Sequence, residues 1–451
     1  MLGRALAPAR LVNVVVHLNW HRMGVTASHN EGARQAALPA GKVLFGVLLI
    51  AFALRVGAAC YWESRLPAGQ QFAFPDSYSY WSLGQTIAEG QPYQFGSPDS
   101  RVFRTPGYPL LLAGLFGVMG LDASPFSARI LGALLGTCVV FGIYTLARRL
   151  FGLRTAQLAA LLAAIYPGAI AISIFVLSEA LFVPLMILQF VCWTIAWQST
   201  RRGGAWIWSS AAGLAAAGAT LARPSWLLFL PVAAGAGLIL GPGRTRQLEL
   251  GGFVLAGLVV GMLPWWVRSA RVTGHFVPTT LQVGASLYDG LNPRATGGSE
   301  MSFVSEFERQ ERAAPSNDQD CYEYRLDRRL RTAAMDWARS HPGRVVELMG
   351  IKFARLWNIW PNEQDFRSWP IRVLIAATFL PVIVLGIWGM WHVGKAWPYA
   401  LCWLPALYFT LLHVIFVSSL RYREPAMVPL LVLAAAAVCR VGENSGEANV
   451  V

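Results

Sequence analysis

Residues 128–149 read ARILGALLGTCVVFGIYTLARR. At 1.5 Å per residue the apolar part, 128–147, covers about 30 Å, the thickness of the hydrocarbon core of a bilayer. The Arg148–Arg149 pair that closes it has the character of an inside loop, where Lys and Arg concentrate. The chain repeats this pattern outward in both directions. Further spanning segments read at 43–60, 155–171, 179–197, 206–222, 225–241, 249–268, 371–391, 397–417 and 426–440. An eleventh apolar run, 107–120, is shorter and is preceded or interrupted by Pro106, Gly107 and Pro109. It reads as a juxtamembrane or re-entrant helix, with an eleven-span arrangement as the alternative.

Composition agrees. Of 451 residues 55% are hydrophobic, mean hydropathy is +0.45 and only 14% are charged, about half the share of a soluble domain. Soluble, disordered and fibrous classes are excluded, leaving an all-α polytopic membrane protein. The net charge of +13 does not indicate nucleic acid, because no nucleic-acid module is visible and the arginines are not interleaved with aromatics on one face. Six cysteines (60, 138, 192, 321, 402 and 439) form neither a CxxC nor a Cys/His ligand spacing, so neither a disulfide framework nor a zinc site is indicated.

Orientation follows from the basic loops. Arg148, Arg149 and Arg154, then Arg201 and Arg202, then Arg244 and Arg246, and finally Lys395 and Arg440 fall on one side. They fit a cytoplasmic N-terminus with 61–105 and 271–370 outside. Thirteen of the 24 acids lie between Arg268 and Pro370, with 14 of the 37 basic residues, so that stretch reads as a nearly neutral soluble insertion. Periodicity predicts helices near 300–313, 320–340 and 343–358 within it. The resulting division is a cytoplasmic N-terminal segment 1–42, a transmembrane core 43–270 including outer loop 61–105, a periplasmic helical loop domain 271–370, C-terminal transmembrane helices 371–440 and a cytoplasmic tail 441–451. The leader carries LVNVVVHLNW at 11–20, too short to span, and reads as a start-site artefact with Met23 as the true start.

Charges in or beside apolar spans are costly and each needs a reason. Asp76, Arg104, Glu179, Arg223, Arg421 and Arg423 all fall toward the outer face on this topology, whereas a transporter places such groups near the midplane. An outer-interface site suits a substrate with its lipid tail in the bilayer and a polar head in water. Asp76 follows Pro75 and opens an aromatic-rich helix. It reads either as an N-cap or as a general base taking a proton from an acceptor hydroxyl. Arg104 is a snorkelling interfacial cation or a bidentate clamp on phosphate. Glu179 is an acid favoured at a helix N-terminus, or a partner for a site arginine that orients the acceptor. Arg223, Arg421 and Arg423 at outer helix ends suit an anionic ligand. Tyr78, Tyr108 and Tyr422 stand beside these charges as acceptor- or site-orienting groups. Arg55, within the first span, is an alternative partner for Glu179. His275, His341 and His413 read as interface histidines. No P-loop, GxGxxG, GxSxG or HExxH motif occurs. No metal ligand set is read, and a divalent cation stays open as a cofactor without a spacing that indicates it.

The segments FPDSYSYWSLGQTIAEGQPY, RTPGYPLLLAG, ARRLFGLRTAQLAALLAAIYPG, LSEALFVPL, LARPSWLLFLP, LPWWVRSARVTGHFVPTTLQVGASLYDGLNP and LRYREPAMVPLLVLAAA, in this order over about 43–440, resemble the bacterial branch of the dolichyl-phosphate-mannose–protein mannosyltransferase family. These are GT-C membrane glycosyltransferases of glycosyltransferase family 39, related to the lipid A aminoarabinose transferases. The resemblance implies a GT-C bundle of about 10–11 transmembrane helices with interfacial helices in the first outer loop and a small outer helical domain. It also implies a polyprenyl-phosphate sugar donor and transfer at the periplasmic face of the bacterial inner membrane. Asp76 matches the acid of the family's first outer loop, the candidate base. Where the family often carries a second acid, this chain has Ser77. Arg104 matches a basic residue resembling a donor-phosphate contact, and Glu179 the acid after the YPG span. Arg223 and Arg421 match family positions too.

The sequence thus leads to a membrane glycosyltransferase that moves a sugar to an acceptor hydroxyl on lipid, protein or polysaccharide, inverting the anomeric centre if the attack is a single displacement. Asp76 would be catalytic, with Arg104, Arg223, Arg421 and Arg423 on the donor phosphate. Partners would be the polyprenyl-phosphate sugar, the acceptor and membrane lipids, with no nucleic acid. The alternative is a transporter or flippase of lipid-linked sugars, which needs no base.

Overall fold

The computed structural model describes residues 40–314, 320–361 and 368–448, and within the last of these the side chains as far as 441. The leader, with the start-site reading placed on it, lies outside the described residues, as does most of the C-terminal tail. The described residues form α-helices and short 3₁₀ turns joined by loops, with no strand.

Among the described residues seven helices are long and apolar enough to cross a membrane. They are α1 (Ala40–Arg65), α4 (Pro125–Phe151), α7 (Glu179–Gln198), α8 (Arg202–Ala222), α10 (Arg244–Thr273), α15 (Trp369–Val393) and α17 (Leu420–Ala448). An eighth expected span is a bent pair, α5 (Leu153–Ile165) and α6 (Pro167–Ile174), which meet at 58°. Pro167 is the cause, because it lacks the N–H that would continue α5 and disfavours a helical Tyr166. Three apolar runs are shorter helices: α3 (Gly107–Met119), α9 (Phe229–Leu240) and α16 (Leu404–His413). Thirteen residues of α3 rise about 20 Å, too little to cross, which agrees with the juxtamembrane reading. Runs 225–241 and 397–417 start as 3₁₀ turns at Pro224–Trp226 and Tyr399–Cys402, next to prolines that interrupt the hydrogen-bond ladder.

The bundle packs by close backbone approach. A Cβ on Gly213 would strike the Val254 carbonyl, and one on Gly257 would strike the Ser210 carbonyl. Two glycines thus let α8 and α10 touch, the arrangement expected where lipid supplies no hydrophobic drive between helices. Helix α17 is sunk among its neighbours, with Leu431, Val432, Leu433 and Ala435 fully buried.

The two ends of the bundle differ in charge. At one end Arg149 and Gln198 bond each other, Arg246 donates to the Trp197 and Ser199 carbonyls, and Arg440 donates to the His392 carbonyl. Arg149, Arg246 and Arg440 are three of the nine basic residues read as loop markers. The opposite end carries α2 (Pro75–Ala88), α3, the N-termini of α7 and α17 and the C-terminal end of α8. There the segment between α10 and α15 forms α11 (Val283–Gly290), α12 (Val304–Ala313), α13 (Tyr322–Ser340) and α14 (Pro342–Leu356). The last three fall where periodicity predicted, broken at His341–Pro342.

Candidate functional site

Five of the sequence-selected charges form one connected chain. Arg104 Nη2 donates to Asp76 Oδ1 at 2.7 Å, and Arg421 Nη2 donates to Asp76 Oδ2 at 3.2 Å. Arg421 Nε donates in turn to Glu179 Oε1 at 2.7 Å, and Arg223 Nη1 reaches the same oxygen at 2.6 Å. Three guanidinium groups and two carboxylates leave one positive charge over. The order is Arg104, Asp76, Arg421, Glu179, Arg223. They arise from five separate stretches of chain, all at the end of the bundle opposite the loop arginines.

Local sequence explains each placement. Phe74 is the N-cap of α2 and offers no side-chain cap, and Pro75 occupies the first turn. Asp76 is therefore inside the helix rather than capping it, and its carboxylate turns to the two arginines. Burial pushes this carboxyl up, but the charges of Arg104 and Arg421 outweigh burial and hold it below its ordinary value of 3.8. Arg104 is not a free snorkelling cation: besides Asp76 its Nε faces Ser79 Oγ at 3.3 Å, and its guanidinium lies 5.0 Å from the Tyr80 ring. Burial alone would lower Arg104, yet Tyr80 and Asp76 raise it, so it stays charged. A Cβ on Gly107 would meet the Leu221 backbone at 2.6 Å. Only glycine lets the 104–107 turn sit against the end of α8, beside Arg223. Glu179 opens α7, where an acid suits the helix dipole, and is 1% exposed.

Tyr422 lies against this chain, 5.2 Å from the Arg223 guanidinium and 5.5 Å from that of Arg421. Its other ring neighbour is His413, stacked at 4.5 Å, a residue the sequence reading left as an interface histidine. Tyr108 is buried edge-on to Tyr80 at 5.4 Å, and Tyr78 is exposed with its ring against Phe95. Arg423 is turned away: it donates to the Leu356 and Asn358 carbonyls and to Glu424, and it sits 3.8 Å over the Phe379 ring. Arg55 does not meet Glu179 either; it donates to the Ala51, Ala163 and Ala164 carbonyls. Glu179 already meets two guanidinium groups, while the guanidinium of Arg55 is taken up by backbone carbonyls. His275 pairs with Asp320 at 2.6 Å.

A cleft of about 540 Å³ adjoins the chain of charges. It is lined by apolar residues of α15 (Ile371, Leu374, Ile375) and α6 (Ala171, Ile172) and by Arg421, Tyr422, Glu424 and Arg355. Phe74, two residues before Asp76, also lines it. Arg355, on α14, was missed in the sequence because it lies in a mixed-charge amphipathic helix where any arginine reads as solvated. Its Nε lies 3.5 Å from the Ser418 carbonyl just before α17. Among the described residues no three His, Cys, Asp or Glu side chains come together as a metal site.

The fold, a helical membrane bundle with short helices and an acid–arginine site at one end, is GT-C-like. Residues 104–267 match the family described as dolichyl-phosphate-mannose-protein mannosyltransferase, which bears out the resemblance read from the sequence. That match includes Arg104, Glu179 and Arg223 and excludes Asp76 and Arg421. The archaeal oligosaccharyltransferase AglB from Archaeoglobus fulgidus, in complex with an inhibitory peptide and a dolichol-phosphate, overlaps with a TM-score of 0.57 at 15% identity. The overlap covers 90% of this chain and 50% of that one. The apo form of the Archaeoglobus fulgidus enzyme gives a TM-score of 0.58 at 13% identity, over 90% and 51%. This chain therefore spans about half the length of those enzymes. ArnT from Cupriavidus metallidurans bound to undecaprenyl phosphate overlaps with a TM-score of 0.43 at 14% identity, over 91% and 79%. No curated protein sequence matches the chain. The matching family and these structural neighbours are glycosyltransferases and oligosaccharyltransferases.

Proposed function

We propose that this protein transfers a sugar from a polyprenyl-phosphate donor to an acceptor hydroxyl at the periplasmic face of the bacterial inner membrane, with inversion at the anomeric carbon. The observation that carries the reading is the double role of Arg421, which lines the half-apolar cleft and also grips Asp76. A prenyl tail suits the apolar lining from α6 and α15, and a phosphate suits Arg421 and Arg355 in the same cleft. The reacting carbon then lies near Asp76. The oligosaccharyltransferase that shares this fold binds a dolichol-phosphate, and the family that matches 104–267 takes its name from a dolichyl-phosphate sugar donor.

In the reaction the acceptor oxygen forms a bond to the anomeric carbon while the bond from that carbon to the phosphate oxygen breaks. The phosphate leaves with the electron pair, and arginines oppose its developing charge. The acceptor proton passes to Asp76. A carboxylate held by two arginines is a weak base, so it orients the hydroxyl first and takes the proton late, once bonding to carbon has made it acidic. A donor phosphate on Arg421 draws that guanidinium's charge away from Asp76 and raises its basicity when it is needed. Glu179 with Arg223 holds Arg421 in place, and Arg104 aims Asp76.

The test is Asp76→Asn in reconstituted protein at matched level, reading free polyprenyl phosphate released from a labelled donor. A loss of at least about 100-fold in kcat is expected of a missing proton acceptor. Near wild-type release removes Asp76 from the chemistry, and no release by the wild type removes the transferase reading in favour of transport.

A further inference from the structure

The Arg104–Asp76 contact depends on how the 101–104 segment is held, and an acid on α13 holds it. Glu323 Oε2 accepts two backbone N–H groups, from Arg101 at 2.8 Å and Val102 at 2.9 Å. Glu323 is 6% exposed, and among the described residues its Oε1 has no hydrogen-bond partner. The same segment is tied elsewhere too. The Val102 carbonyl accepts from the Leu281 N–H at 3.0 Å, the Arg101 carbonyl accepts from Arg268 at 3.0 Å, and the Arg104 carbonyl accepts from the Tyr93 hydroxyl at 3.1 Å. Two of these ties, Glu323 and Leu281, come from the segment between α10 and α15. Two residues past the clamped amides, the Arg104 side chain reaches Asp76.

We propose that Glu323 is a positioning residue: by gripping the Arg101 and Val102 amides it fixes the turn from which Arg104 aims Asp76. The part concerning Asp76 rests on the transferase reading above; the grip itself does not. Among the described residues nothing else supplies those two N–H groups with an acceptor, and the Val102 donor is buried, so leaving it unpaired is costly. Loss of the carboxyl therefore frees the turn.

The grip is sensitive to pH. Burial pushes Glu323 up to about 7, against the pull of the Val102 and Arg101 amides and of Arg268; Asp327, one turn along α13, pushes it up. Cys321, before α13, also faces it. When the turn opens, water reaches the carboxyl and its value returns toward 4.5. The closed state thus binds the proton more tightly than the open one. Opening becomes about tenfold easier per pH unit from 4.5 to about 7 and is level above that.

The experiment compares wild type, Glu323→Ala and Glu323→Gln in the full chain by hydrogen exchange of peptides covering 101–105 and the first turn of α2, together with donor turnover. In the wild type, protection of 101–105, corrected for intrinsic rate, falls about tenfold per unit across the rising range. Glu323→Gln, the neutral isostere, keeps the protection without that pH dependence and keeps turnover. Glu323→Ala loses protection in both peptides at least about tenfold, and its kcat falls while donor KM holds. Unchanged exchange in Glu323→Ala overturns the proposal, and so does full turnover with a freed turn. A wild type that releases no polyprenyl phosphate defeats the transferase reading instead. In that case the exchange of the α2 peptide alone decides the positioning role, because coupled loss there supports it and its absence overturns it.

Discussion

Arg421 Nε donates to Glu179 Oε1 at 2.7 Å, across 242 residues of chain. The bond joins the first turns of α17 and α7, and through the other arm of the same guanidinium it extends to Asp76. Neither residue is at the bilayer midplane of its helix; both open their helices at the site end. A fully buried carboxylate is tolerable there because two guanidinium groups meet it.

Removing that carboxylate should therefore be felt in stability as well as activity. Glu179→Ala leaves Arg223 and Arg421 facing each other without their shared acceptor, a loss of about 3–5 kcal/mol for a broken buried pair. Thermal unfolding in detergent should show a clearly lowered Tm, and Glu179→Gln should recover part of it. An unchanged Tm for the alanine variant means the pair is not a structural element.

The pH profile of transfer separates two acids. Asp76 sits below 3.8 because its arginines outweigh burial. The stability from its pairing is present above that ordinary value and is lost as pH falls through the lowered one. The wild type should show no acid limb from Asp76 above about pH 4. Arg104→Ala removes one of the two opposing charges, so the limb should shift upward in kcat/KM against pH. A limb that stays put shows that Arg104 does not tune Asp76.

The cleft wall predicts a division of labour among arginines. Arg355→Ala should raise donor KM about tenfold with a smaller change in kcat, as expected when binding common to ground and transition state is lost. Arg104→Ala should do the reverse, since Arg104 faces Asp76 and not the cleft. Equal KM effects in both variants would mean that Arg104 also touches the phosphate.

The Gly107 turn offers a check on the fold near the site. Gly107→Ala places a methyl 2.6 Å from the Leu221 backbone. The collision with main chain should cost about 1–3 kcal/mol and lower both Tm and turnover. Wild-type behaviour shows that α3 can move away from α8 without consequence.

Much of the helical framework was legible in the sequence because a spanning helix must satisfy its own backbone hydrogen bonds over a fixed thickness. Length and hydropathy then suffice to find it. The seven long helices and the break at His341–Pro342 fall where the sequence indicates. The exceptions are local: Pro167 bends one expected span, and short 3₁₀ turns open two others, because hydropathy does not register a missing N–H. The site was legible as a set of charges but not as a set of bonds. Asp76, Arg104, Glu179, Arg223 and Arg421 share an end of the bundle, while Arg423 carries the same charge two residues on and faces away. Helical periodicity separates them by 200°, and only packing decides which face of α17 meets α7.

The sequence by itself determined that this chain is a polytopic helical membrane protein whose costly charges gather at one end, because apolar length and charge placement are one-dimensional quantities. The tertiary structure decided which charges are partners, that Asp76 is gripped rather than capping, that Arg355 joins the cleft, and that Glu323 clamps the turn before Arg104. Those are angular and long-range facts. They depend on which helix faces touch after hundreds of intervening residues have folded between them.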